Sequence, residues 1–226
     1  GENTMSFISV FDVLGPNMIG PSSSHTAGAA LIAQLAQKMI APPIVRADFT
    51  LYGSFAKTYR GHGTDRALLG GIMGFGTDDV RIRDSYAIAQ ERGLHFSFIP
   101  NEVETDIHPN TVDIRMENAD GLVMTVRGES LGGGKVRIVR INDMPVEFSG
   151  EYNALIVVQQ DKPGVVAHIT SALSERGVNI AFMRLFRTGK GSTAYTIVES
   201  DQRLPDDIAE ELRANLNITD VMVVQR

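Results

Sequence analysis

The chain has 226 residues, 43% of them hydrophobic and 21% charged, which is the composition of a globular protein with room for one large or two ordinary domains. Its 27 acidic and 21 basic residues give a net charge of −6 with no lysine–arginine cluster, which argues against nucleic acid and anionic membrane as partners. It contains no cysteine, so disulfides, thiolate nucleophiles and a self-held iron–sulfur cluster are excluded, and the expected location is the cytoplasm.

Met5 reads as the native start, preceded by Gly1 to Thr4. The start lacks the charged-then-apolar order of a signal peptide. No run approaches the roughly 20 apolar residues that span a bilayer. From Ser24 the pattern is helical, with Leu31, Ile32, Leu35, Ala36 and Met39 on one face, until Pro42-Pro43 stops it. Val45, Ala47, Phe49 and Leu51 alternate with polar residues as a half-buried strand. A Gly/His loop follows, and Thr64 has the chemistry of an N-cap for a helix to about Ile72. A helix over 84–92 ends at Gly93 and leads into the strand LHFSFI.

TVDIRME, LVMTVRG, KVRIVRI and PVEF then form a β-meander over 111–148, in which the triple glycine at 132–134 marks a bulge or a close backbone approach. The polar connector SGEYN at 149–153 separates a front domain, 5–149, from a second, 153–226. In the second, ALIVVQQ is a strand and Val166, Ile169 and Leu173 mark a helix face. NIAFMRLFR and TAYTIVES are a strand pair, a helix carries Ile208 and Leu212, and TDVMVV closes the unit. The order β-α-β-β-α-β is ferredoxin-like. The fold class is therefore α+β: an α/β front domain with a β-meander, then a ferredoxin-like unit.

Three stretches of the front half carry chemistry. In PSSSHT, the hydroxyls of Ser22, Ser23, Ser24 and Thr26 and the ring of His25 stand at a helix start, either as caps or as a cup for a small anion. The helix dipole favours a neutral imidazole there, and the G-x-S-x-G elbow of an acyl-transfer serine is absent. In YRGHGTD, His62 lies between two glycines at a strand-to-helix turn, beside Gly63 and Thr64, where α/β proteins commonly place chemistry. In DIHPNT, the proline holds His108 extended, near Asn110. The spacing of the three histidines specifies no metal. His95 and His168 read as structural, and GESLGGGKV fails the phosphate-loop pattern.

DKPGVVAHI followed by GVNI resembles an ACT domain, a fold that often senses free amino acids. The resemblance puts an effector site at Gly164, Val165 and Val166, where a helix start offers free N–H groups, and at Asn179 and Ile180 at a strand start. The other readings are a tight turn and a module that only pairs with itself.

SVFDVLGP, IGPSSSHTAGA, LYGSFAKTYRGHGTD, HPNT and SLGGGK, in this order and followed by an ACT unit, resemble the β chain of the bacterial iron–sulfur L-serine dehydratases across nearly the whole length. The resemblance implies a β-elimination that turns L-serine into pyruvate and ammonia at a site shared with a cysteine-containing α subunit. That partner holds a [4Fe-4S] cluster acting as Lewis acid on the substrate. His62 is then the base for the α-proton. His25 lies in the same site, with Ser22 to Ser24, Thr26, Gly63, Thr64, His108 and Asn110 around the substrate. Two rivals stand beside this reading: a purely regulatory amino-acid-sensing subunit, and an ACT-bearing piece of a phosphoglycerate dehydrogenase, for which no dinucleotide fingerprint is present.

Overall fold

A computed structural model describes residues 24–226. Its first long element is helix α1 (Ala27–Gln37), whose alanine-rich face is fully buried with Ile32 and Leu35. Small residues are what let a second helix, α3 (Thr64–Ile72), lie close to it. A Cβ at Gly71 would stand 2.5 Å from the Ala30 carbonyl oxygen and 2.7 Å from the Ala33 Cβ.

Beneath the helices runs a sheet of β1 (Ile44–Tyr52), β2 (His95–Asn101), β3 (Thr111–Asn118), β4 (Val123–Gly132), β5 (Lys135–Ile141) and β6 (Met144–Phe148), in the order β2-β1-β3-β4-β5-β6. Only β1 and β2 are parallel, and that pair needs a long crossover. It is supplied by α2 (Gly53–Thr58), α3, a 3-10 turn (Val80–Asp84) and α4 (Ser85–Glu91). The meander follows antiparallel. Period-two alternation sends Ala47, Phe49, Leu51, Ile114, Met116 and Val126 under the helices. The opposite face carries ion pairs, including Arg46–Asp48, Arg127–Asp113 and Arg137–Glu129.

Helix α2 was not expected: six residues are too few to show a helical period, and burial of Phe55 and Ala56 fixes it instead. Thr64 is not the cap of α3. Gly63, left-handed at φ 74°, takes that position, and Thr64 is the first helical residue. The triple glycine is an open hairpin turn with three positive φ angles, and the expected bulge reaches its first glycine, between Ser130 and Gly132.

The second unit comprises β7 (Asn153–Gln160), α5 (Val165–Glu175), β8 (Phe182–Arg187), β9 (Thr193–Ser200), α6 (Ile208–Arg213) and β10 (Ile218–Val224). Its antiparallel sheet has the order β10-β7-β9-β8, so β8 and β10 are the edges. Leu155, Val157 and Val198 pack with Ile169, Leu173, Ile208 and Leu212 of the helices. On α5 it is Val165, not Val166, that is buried. The sheet's other face, with Ala154, Ile156, Tyr195, Ile197, Met222 and Val224, joins the core of the front unit. Among the described residues no helix is long and apolar enough to cross a membrane.

Candidate active site

Strand β1 ends at Tyr52, and the chain turns at once through Gly53 (φ 52°) into α2. A Cβ at Gly53 would lie 2.5 Å from the Pro109 carbonyl oxygen, so the glycine lets the His-Pro-Asn segment close on the helix start. The Ser54 N–H donates to that carbonyl at 2.7 Å. The Ser54 hydroxyl lies 2.8 Å from His25 Nε2, while Ser24 Oγ lies 3.0 Å from His25 Nδ1. Both ring nitrogens of His25 thus meet a hydroxyl, and Phe55 meets the ring edge-on at 5.4 Å.

His62 comes to the same place from the loop before α3. Its ring centroid is 5.1 Å from that of His25, tilted by 32°. Its N–H donates to the Thr58 carbonyl at 3.1 Å, which fixes the loop, while its side chain is exposed. The half-buried His25 and the exposed His62 form a two-histidine wall, with Gly63 and Thr64 directly behind.

His108 Nδ1 accepts from the Asn110 N–H at 3.1 Å, so a neutral His108 carries its proton on Nε2. The Thr111 hydroxyl donates to the His108 carbonyl at 2.7 Å, and the Ser130 N–H to the Asn110 carbonyl at 2.9 Å. Asn110 Oδ1, Ser130 Oγ and Thr64 Oγ1 are buried with no hydrogen-bond partner. Each such atom costs about 1–3 kcal/mol. Behind β1, the Tyr52 hydroxyl donates to Asp113 at 2.7 Å. Burial, then Asp113, push its pKa up to about 12, so it remains a donor.

The structure therefore brings His25, His62, Ser24, Thr26, Gly63, Thr64, His108 and Asn110 to one end of the sheet, where β1 ends and β3 begins. Ser22 and Ser23 lie outside the described residues. Ser54 was missed by the sequence reading. Its signal was a serine directly after a glycine at the end of a strand, a place where α/β folds gather ligand contacts. Among the described residues no three His, Asp or Glu side chains are grouped to hold a metal ion.

In the second unit, Gly164 (φ 90°) caps α5 and no side-chain cap is present, so its first N–H groups lack an intrahelical partner. Asn179 and Ile180 are not at a strand start, because β8 begins only at Phe182. The Asn179 N–H donates to the Gln202 side chain at 2.6 Å and its carbonyl accepts from the Ser200 hydroxyl at 2.7 Å, so side chains hold this backbone rather than a ladder. Val165 and Ile180 both pack against the cluster under the helices.

Residues 9–140 match the model of a family described as the serine dehydratase beta chain, and residues 153–217 match that of the ACT domain. The chain is 40% identical over 217 residues to a probable L-serine dehydratase beta chain of Bacillus subtilis, covering 96% of this chain and 98% of that one. It is 39% identical over 204 residues to an L-serine dehydratase beta chain of Peptoniphilus asaccharolyticus, covering 90% and 92%. A D-3-phosphoglycerate dehydrogenase of Mycobacterium tuberculosis (strain ATCC 25618 / H37Rv) is 32% identical over 148 residues, 65% of this chain but 28% of that enzyme.

Proposed function

The chain belongs to the serine dehydratase beta chain family, and from that premise we propose that it is the beta subunit of a cytoplasmic L-serine dehydratase, releasing pyruvate and ammonia from L-serine together with an alpha subunit. The observation that carries the reading is the ring of His62 lying 5.1 Å from that of His25, itself anchored on Ser54.

In the elimination, the serine Cα–H bond breaks, its electron pair forms the Cα–Cβ double bond and the Cβ–O bond breaks, the departing hydroxide taking up a proton from solvent to leave as water. The aminoacrylate product tautomerises to an imine, which water converts to pyruvate and ammonia. His62 in its neutral form takes the α-proton at a ring nitrogen. His25, held by Ser24 and Ser54, orients the substrate together with Thr26, Thr64, His108 and Asn110. The chain has no cysteine and so supplies no thiolate for an iron–sulfur cluster. The [4Fe-4S] cluster of this reading would be held by the partner and would supply a Lewis acid to the substrate. The division into a front domain, 5–149, and an ACT domain, 153–226, belongs to the same reading. The ACT domain pairs with a second copy through β8 and takes an amino acid at Gly164 to Val166, with Asn179 and Ile180 beside it.

The test is co-expression with the alpha chain under anaerobic conditions, followed by assay of pyruvate from serine. The isolated chain is expected to be colourless and inactive, and the pair active. His62→Asn is expected to lower kcat by a factor of about 10² to 10⁴ without loss of assembly. A His62→Asn enzyme with most of its kcat would support the purely regulatory subunit instead.

A further inference from the structure

Strand β9 places Tyr195 and Ile197 on the face that joins the front core, both buried. The next position of that row, where the period of two asks for another apolar side chain, is Glu199. It is 8% exposed, and its carboxylate takes part in none of the ion pairs among the described residues. The Ser149 N–H donates to it, and Arg184, whose charge acts on it, is paired with Glu147 at 3.3 Å. Burying a carboxylate without a cation is costly, so a charge at this position needs a reason.

Glu199 lines a cavity of about 350 Å³ between the two units, on the side of the second sheet opposite α5 and α6. Its wall has two chemistries. Arg184 and Arg137 present guanidinium groups, both near the half-exposed Glu147. Tyr152 and Phe182 meet edge to face at 5.4 Å and give an apolar side. The lining therefore offers a buried anion, a guanidinium pair and an aromatic wall within the dimensions of a small-molecule site.

We propose that this cavity binds a free α-amino acid with an apolar side chain, its ammonium on Glu199, its carboxylate on Arg184 and its side chain against Phe182 and Tyr152. The ligand carboxylate replaces Glu147 on Arg184, and Glu147 is exposed enough to move into water. The site is separate from the two-histidine wall and from the start of α5.

Calorimetric titration of the whole chain with L-phenylalanine tests this directly and needs no partner subunit. Saturable binding of one molecule per chain is expected, weakened about tenfold or more in both Glu199→Gln and Arg184→Gln. Arg184 is half exposed, so its replacement leaves the fold intact. Phenethylamine and 3-phenylpropionate, each lacking one charge, are expected to bind at least about tenfold more weakly. His62→Asn is expected to bind L-phenylalanine unchanged, which separates this result from the dehydratase reading. No saturable binding at millimolar L-phenylalanine, or binding undiminished in both variants, overturns the proposal. So does a site that depends on Glu199 but takes L-serine and refuses L-phenylalanine.

Discussion

Ser54 joins three parts of the chain with one residue. Its hydroxyl meets His25, its N–H meets the Pro109 carbonyl, and its backbone opens α2. In the reconstituted enzyme, Ser54→Ala should leave the fold intact and free the His25 ring, lowering kcat/KM by roughly tenfold, about what a lost hydrogen bond costs. An effect as large as that of His62→Asn would give the hydroxyl a part in proton transfer, and steady-state pyruvate formation separates the two. Glu199 makes a different prediction. Burial raises its pKa above the ordinary 4.5, with Arg184 opposing. A carboxyl whose pKa is raised by folding adds stability below its unfolded pKa and loses that contribution as pH rises through the folded value. Thermal melts should therefore show Glu199→Gln matching the parent below pH 4.5 and gaining on it as the pH approaches neutrality. A constant gap across that range would mean that water already reaches the carboxylate.

Elements divide by how much of their stability is local. The meander strands were legible because alternation alone buries one face, and α1 because its apolar face recurs over eleven residues. Helix α2 was not, since its formation depends on Phe55 and Ala56 reaching a core assembled by distant strands. The start of α3 misled for a related reason: Thr64 has the right chemistry for a cap, but Gly63 has the backbone freedom. Of the site, the histidines were legible as residue types in glycine- and hydroxyl-rich loops. Their convergence followed only from the family resemblance, because the approach of the His108 segment depends on Gly53 admitting Pro109. Gly53→Ala should destabilise the chain by about 1–3 kcal/mol and displace Ser54, since the added carbon meets backbone and the φ of 52° disfavours any side chain. Denaturant unfolding measures the first effect and loss of pyruvate formation the second. Strand β8 is an edge, with Phe182, Met183 and Leu185 between 40% and 47% exposed. Such an edge invites a second strand. Leu185→Lys should shift the chain toward monomer in light scattering, and an unchanged mass would assign self-association to another surface.

At the scale of the molecule, the two units share one core. The inner face of the second sheet contributes Ala154, Ile156, Tyr195, Ile197, Met222 and Val224 to the same cluster as α1 and β1. The whole chain should therefore melt in one transition, with calorimetric and van't Hoff enthalpies in agreement. Two resolved transitions would mean that this contact adds little. The shared face also limits how portable the second unit is. Each large side chain on it would forfeit about 1.5–3 kcal/mol if bared to water. A sensor cut from this protein and grafted onto another would carry a greasy back, and it would need several of those six positions rewritten as polar before it could stand alone.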